Sequence, residues 1–276
     1  MTLELYEVID AIADELAAKG VALGEAYKRR DPDEPGRALK ERDEDRLLRL
    51  VKRRFAAQRR GVRSYLETVL PPVKAITIPG PDEWLAGLPA GALSDAETER
   101  LLLIFMVEAA KRGVALFRLT ATFDIDWSLV NIQAATVAQE YVSEMLRLMD
   151  QTTIKALRKA LETFVTQPGF TIGDVIKVLP FDEDRALRTA VSAITDIYSQ
   201  AVIEAGREQK KQYPDVLVIK TWWTNRDDRV CLICQPLHGQ EREIDEGFGV
   251  DPGEVGLLGP TAHLGCRCWL STRTRI

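Results

Sequence analysis

All four cysteines of the chain, Cys231, Cys234, Cys266 and Cys268, lie between residues 231 and 268, and both of its histidines, His238 and His263, lie among them. This clustering constrains the C-terminal part more than any other feature. Cys231-Leu-Ile-Cys234 lets two sulfurs on one tight turn face a common centre. His263-Leu-Gly-Cys266-Arg-Cys268 offers an imidazole and a thiolate at the same step, and Cys266 and Cys268 share a face if the tail is extended. Zn2+ in a structural role suits such donors, because it takes four nitrogen and sulfur ligands in a closed tetrahedron. It would also hold together a glycine-rich segment with few apolar residues. Five donors compete for four positions, and spacing alone does not choose between Cys266 and Cys268. His238 is a sixth candidate but sits in a Pro-Leu-His-Gly turn and ranks below His263. Two disulfides, buried thiols and a Cys/His nucleophile remain as alternatives. A thioredoxin-type redox pair fits poorly, since no strand–helix–strand pattern surrounds it.

The first two hundred residues carry a different signal. Leu3, Tyr6, Ile9, Ile12, Leu16 and Leu23 recur at helical steps, and so do Leu47, Val51, Phe55, Val62, Leu66 and Val69. The second series predicts a helix over about 38–70, ended by Pro71-Pro72. A connector rich in proline and glycine follows, with at most a short strand at Val73 to Ile78. Ser94 with Glu97 reads as a capping box for a helix over about 95–120. Further helices are expected over about 127–166, after Thr171, and over about 183–212, with Asp182 as the last one's cap. Val216 to Trp223 is dense in β-branched and aromatic residues and reads as a strand, with Trp222 and Trp223 on opposite faces. The expected fold class is mainly α. Long helices form an extended helical body, followed by a small irregular α+β zinc-type C-terminal module. The expected divisions are 1–125, 126–212 and 213–276.

Charge adds one local feature. With 42 acids against 37 bases the net charge is −5, which excludes a surface that is basic throughout. Yet the stretch from Arg46 to Arg63 holds Arg46, Arg49, Lys52, Arg53, Arg54, Arg59, Arg60 and Arg63 without a single acid. It is either a solvated helix face or a sequence-independent contact to DNA or to a partner. No apolar run reaches the length of a membrane span, and the N-terminus lacks the basic flank of a secretory signal. A chain that stays in a reducing cytoplasm is expected. Catalysis has little support: Asp124, Asp126, Asp182 and Asp184 sit at loop-to-helix junctions, where capping accounts for them.

The tail from Thr221 to Cys268 resembles a known family. It reads Thr221-Trp222-Trp223-Thr224, Asp227-Asp228-Arg229-Val230-Cys231, Cys234, Leu237-His238-Gly239-Gln240 and, after a loop, Gly259-Pro260-Thr261-Ala262-His263-Leu264-Gly265-Cys266-Arg267-Cys268. This order is similar to the C-terminal domain of the phage head morphogenesis proteins, the Mu F-like and SPP1-type minor head proteins. The preceding helix resembles theirs too, with Thr195-Asp196 where the family carries Thr-Glu. Pro260-Thr261-Ala262 replaces the two prolines usual before the histidine. Asp227, Arg229 and Gly239 are expected to fix the turns around the metal ligands.

The resemblance implies a minor capsid protein of a tailed bacteriophage or prophage. It implies association with the portal protein, contacts with major capsid or scaffolding protein, and a part in head assembly, DNA packaging or genome delivery. The implied location is the head interior or portal vertex, after assembly in the host cytoplasm. Some relatives carry a toxin or ADP-ribosyltransferase domain after this module; with eight residues following Cys268, none is expected here. The alternatives are an internal head protein that binds packaged double-stranded DNA and is ejected with it, and a Cys/His-dependent maturation enzyme.

Overall fold

The structure is a computed structural model that describes residues 30–70, 80–121, 123–167, 169–227, 230–231, 233–249 and 256–276. The helix expected in the first 24 residues, the strand expected at Val73 to Ile78, and Arg229 lie outside the described residues. The elements in chain order are α1 (Arg37–Val69), α2 (Pro81–Ala86), α3 (Ala96–Arg118), α4 (Trp127–Thr166), α5 (Ile172–Val178), α6 (Glu183–Gln212), β1 (Leu217–Trp223), β2 (Glu241–Glu243) and β3 (Trp269–Arg275). The protein is mainly helical with a small α+β module at its C-terminal end, as expected. No described helix is long and apolar enough to cross a membrane.

Local chemistry sets the helix ends. Asp126 caps α4 by accepting from the backbone N–H of Ser128 and Leu129, at 3.0 and 3.1 Å. Asp182 caps α6 through the Arg185 N–H at 2.7 Å, and Thr171 with Asp174 closes a capping box on α5. The start of α3 departs from expectation. Asp95, not Ser94, accepts from the N–H of Thr98 and from its hydroxyl, while Ser94 donates to Glu99. A carboxylate satisfies an orphan helix N–H at least as well as a hydroxyl and also favours the helix dipole, so the register moves on by one residue.

The chain forms two compact units. One comprises 49–102 and 142–186. Its core gathers Val62, Leu66, Leu70, Trp84, Leu93, Leu157, Leu161, Val175, Ile176 and Leu179. Beside this core Arg54 is buried and pairs with Glu99 and, at 2.7 Å, with Asp150. The partners of Lys52, Arg53 and Arg54 thus come from elsewhere in the chain. Lys52 meets Glu183 at 2.6 Å and Arg53 meets Glu97 at 2.6 Å.

The other unit takes in, among the described residues, those of 30–48, 103–141 and 187–276, and contains all the cysteines. Its sheet has the order β2-β1-β3, antiparallel throughout. The register pairs Trp223 with Trp269 and Leu217 with Arg275. Gly206 of α6 faces this sheet, where a Cβ would lie 2.7 Å from the Ile244 side chain, so glycine is what lets the helix approach. Trp222 is fully buried against Phe248 whereas Trp223 is half-buried, which follows from strand alternation. Lys220 is equally buried. Its amine donates to the carbonyls of Ile244 and Leu258 at 2.8 and 2.7 Å, and burial pushes its pKa down to about 8.

The two readings of the α3 start separate by mutation. Asp95→Ala is expected to cost about 1 kcal/mol in urea unfolding, and Ser94→Ala less than half of that.

Candidate metal centre

Antiparallel pairing builds the site. Because Trp223 lies opposite Trp269, the residues that follow β1 and those that precede β3 emerge at the same end of the sheet. Each group then makes a tight turn. The N–H groups of Cys234 and Gln235 donate to the Cys231 carbonyl at 3.1 and 2.9 Å, and the Cys234 N–H also lies 3.3 Å from the Cys231 sulfur. In the second turn the Cys266 N–H donates to the His263 carbonyl at 3.1 Å, and Gly265 takes a φ of 86° that favours glycine. The Gly265 N–H is held by Ser192 of α6 at 2.5 Å.

The five candidate donors come together as two triads with Cys234 in common. Ligand atoms of Cys231, Cys234 and His263 lie within 4.8 Å of one another, and so do those of Cys234, Cys266 and Cys268. All four cysteines are free thiols. The Cys234 and Cys266 sulfurs stand 3.8 Å apart. A tetrahedral ion with metal–sulfur bonds of about 2.3 Å needs sulfur–sulfur edges of about 3.8 Å, so this pair already has the required spacing. A small cavity of about 30 Å³ lies among Cys231, Cys234, His263 and Cys268.

The surroundings favour a cation. The His263 Nδ1 lies 3.1 Å from the Leu264 carbonyl, which can only accept, so Nδ1 carries the proton and Nε2 is left as the donor atom. Hydrogen bonds from Cys234 and from the fully buried Trp222 indole N–H, which has no oxygen or nitrogen partner, would lower the Cys268 thiol, but Cys266 and burial push it well above the usual thiol range. The hydrogen bond from Cys234 and the His263 imidazole hold the Cys231 thiol down to about 4. Burial alone would lower His263, but Cys231 and the Cys266 charge raise it to about 9. Burial would raise Cys266, yet hydrogen bonds from Cys234 and Cys268 hold it well below the usual thiol range, while Cys234 itself is pushed up by Cys231 and Cys266. Crowded sulfurs that share protons beside an imidazolium are what a divalent cation displaces when it binds. The residues therefore can hold a metal ion.

The other candidates are distributed as follows. His238 is exposed and outside the cluster. Its Nδ1 accepts from the Thr224 N–H at 3.2 Å, with the Thr224 hydroxyl at 2.8 Å, and its ring meets Trp223 edge-on. Gly239 has a φ of 75° and donates to the Trp222 carbonyl at 2.8 Å, which ties the first turn to β1. Asp227 pairs with the buried Arg267 at 2.8 Å. In the basic stretch, Arg46 lies over Phe105 and Arg59 over Phe181, Arg63 is 3.9 Å from Glu67, and Arg49 and Arg60 are exposed. Sequence reasoning gave no role to Arg30, Thr195, Asn225 or Lys220, which the fold brings around the module. A buried charge has no local signature, because its partners are distant in sequence.

A family described as Phage Mu protein F like protein matches residues 147–271, a segment that includes every cysteine and most of the sheet. No curated protein and no solved structure matches the chain.

Elemental analysis of chain purified without chelator is expected to find about one divalent ion bound. Cys234→Ser removes the sulfur common to both triads and is expected to abolish binding, whereas His238→Ala is expected to retain it. A metal-free protein with two disulfides would contradict this assignment.

Proposed function

We propose that this chain, whose residues 147–271 belong to the Phage Mu protein F-like family, is a minor head protein of a tailed phage or prophage that docks on the portal and acts in head assembly, packaging or genome delivery. The observation that carries the proposal is the family match itself, which takes in α6, most of the sheet and both ligand turns. The module is built to last rather than to turn over substrate. Cys234, Cys266 and Cys268 are buried in an apolar cluster with Trp222, Leu237, Ile244, Phe248 and Leu270, with Cys231 partly buried against it, and Asp126 and Asp182 are engaged as helix caps. The ion is proposed to be Zn2+ in a structural role. Nitrogen and sulfur donors and a closed site support that choice, and zinc has no redox chemistry to disturb it.

A second reading, contact with packaged double-stranded DNA, rests on Arg46, Arg49, Arg59 and Arg60. These four are exposed on α1 and make no ion pair among the described residues, whereas Lys52, Arg53 and Arg54 are matched by carboxylates.

The full chain loaded with zinc is expected to be retained by the portal protein of the same genome, and absence of retention would sink the docking proposal. Duplex DNA titrated at two salt concentrations tests the second reading. Arg49→Gln with Arg60→Gln is expected to weaken binding and to flatten the salt dependence by about one unit of slope per lost contact. Binding that ignores salt would exclude it.

A further inference from the structure

The metal turns are held from a distance by two residues at the start of the described chain, well outside the matched segment 147–271. Arg30 is completely buried. Its guanidinium donates to both carboxylate oxygens of Glu34 at 2.9 and 3.1 Å and to Glu44 through Nε at 2.8 Å. Lys40 completes a neutral group of two cations and two carboxylates by reaching Glu34 at 2.7 Å. The Arg30 Nη2 also donates to Glu44 and, through its second proton, to the Thr195 hydroxyl at 2.8 Å. Since Arg30 only donates, the single Thr195 hydroxyl proton is free to point onward, and the hydroxyl donates to the carbonyl of Cys266 at 3.0 Å. A metal-ligand residue is thereby tied through one hydroxyl to a buried cation.

Asp31 makes the second connection. Its N–H donates to the Asn225 side-chain oxygen at 2.8 Å, and its carboxylate takes two hydrogen bonds from Arg226, each 2.9 Å. The Asn225 amide donates in turn to Asp227 at 3.2 Å, and Asp227 pairs with Arg267, the residue between Cys266 and Cys268. Asn225 and Arg226 stand on the strand-to-turn path that leads from β1 to Cys231. All of these groups lie in one compact unit.

We infer that Arg30 and Asp31 are positioning residues for the metal centre, holding the second ligand turn through Thr195 and the approach to the first through Asn225 and Arg226. The inference rests on the reading that the cluster binds a metal. A loose turn must be ordered when the ion binds, and that cost is subtracted from affinity. A turn held in place by partners outside the coordination shell avoids it, and loss of such partners typically weakens binding about 10–100-fold. The metal module therefore extends beyond the matched segment to residues 30–44.

The test uses the full chain and measures zinc affinity by competition with a chromophoric chelator, Co2+ absorption for ligand geometry, and circular dichroism for folding. Thr195→Val keeps shape and removes the hydroxyl; it is expected to bind zinc at least tenfold more weakly, with a changed Co2+ spectrum and unchanged helicity. Thr195→Ser restores the hydroxyl and is expected to bind within about twofold of wild type. Asp31→Asn is expected to weaken binding in the same direction, and the exposed control Lys111→Gln to leave it unchanged. Arg30→Leu is avoided as the primary variant because it strands two buried carboxylates. Equal affinity in wild type, Thr195→Val and Asp31→Asn overturns the positioning role while leaving the metal centre standing. A wild-type chain that takes up neither Zn2+ nor Co2+ overturns both.

Discussion

The pairing of β1 with β3 is the interaction on which the C-terminal unit depends. Seven residue pairs, from Leu217↔Arg275 to Trp223↔Trp269, bring together chain segments that differ by about fifty positions in sequence. Without that ladder the Cys231 turn and the His263 turn would be separate sets of two and three donors, neither able to surround an ion with four ligands. With it, Trp223 stacks on Trp269 at 5.7 Å and Trp222 fills the opposite face, so the end of the sheet where the sulfurs gather is also its most aromatic end. An ion bound there would in turn lock the register, since a slip by one residue would carry Cys266 and Cys268 away from Cys234.

Burial of charge is the second theme of this unit. Arg30, Glu34, Glu44 and Asp43 are nearly inaccessible, and each has a partner of opposite charge or a hydroxyl. Asp43 takes a hydrogen bond from Tyr198 at 2.8 Å and pairs with Arg112 at 2.7 Å. Such groups contribute little net stability, because desolvation offsets most of the attraction, but removing one partner leaves an expensive orphan. Their effect is on uniqueness. Apolar side chains can repack in several ways, whereas a guanidinium with two carboxylates and one hydroxyl around it has very few acceptable arrangements. Lys220 acts in the same way within the module, with two carbonyls as its acceptors.

Much of the architecture was legible residue by residue. The apolar stripe from Leu47 to Val69 is α1, the Thr171–Asp174 pair is a capping box, and the alternation at Trp222 and Trp223 is the alternation of a strand. Those features are local, and local sterics and hydrogen bonding decide them. The strand β3 escaped notice although Trp269, Leu270, Thr272 and Thr274 favour extended chain, because seven residues after a cysteine run carry little periodic signal. Arg54 looked like one more member of an exposed basic stretch. It lies instead against the core of its unit because Glu99 and Asp150 neutralise it.

The sequence by itself determined the donor set. Thiols and imidazoles at C-x-x-C and H-x-x-C-x-C spacing are suited to soft metal ligation whatever surrounds them, and their order carried the family resemblance. Only the tertiary structure decided which histidine belongs. His263 faces the sulfurs with Nδ1 fixed on a carbonyl, whereas His238 is spent on Thr224 at the surface. It also decided that Cys234 belongs to both triads and that residues 30–44 form part of the module. The physical reason is range. Spacing along the chain governs what one turn can present, but convergence of two turns, and the placement of a buried charge beside them, depends on contacts between residues up to 195 positions apart.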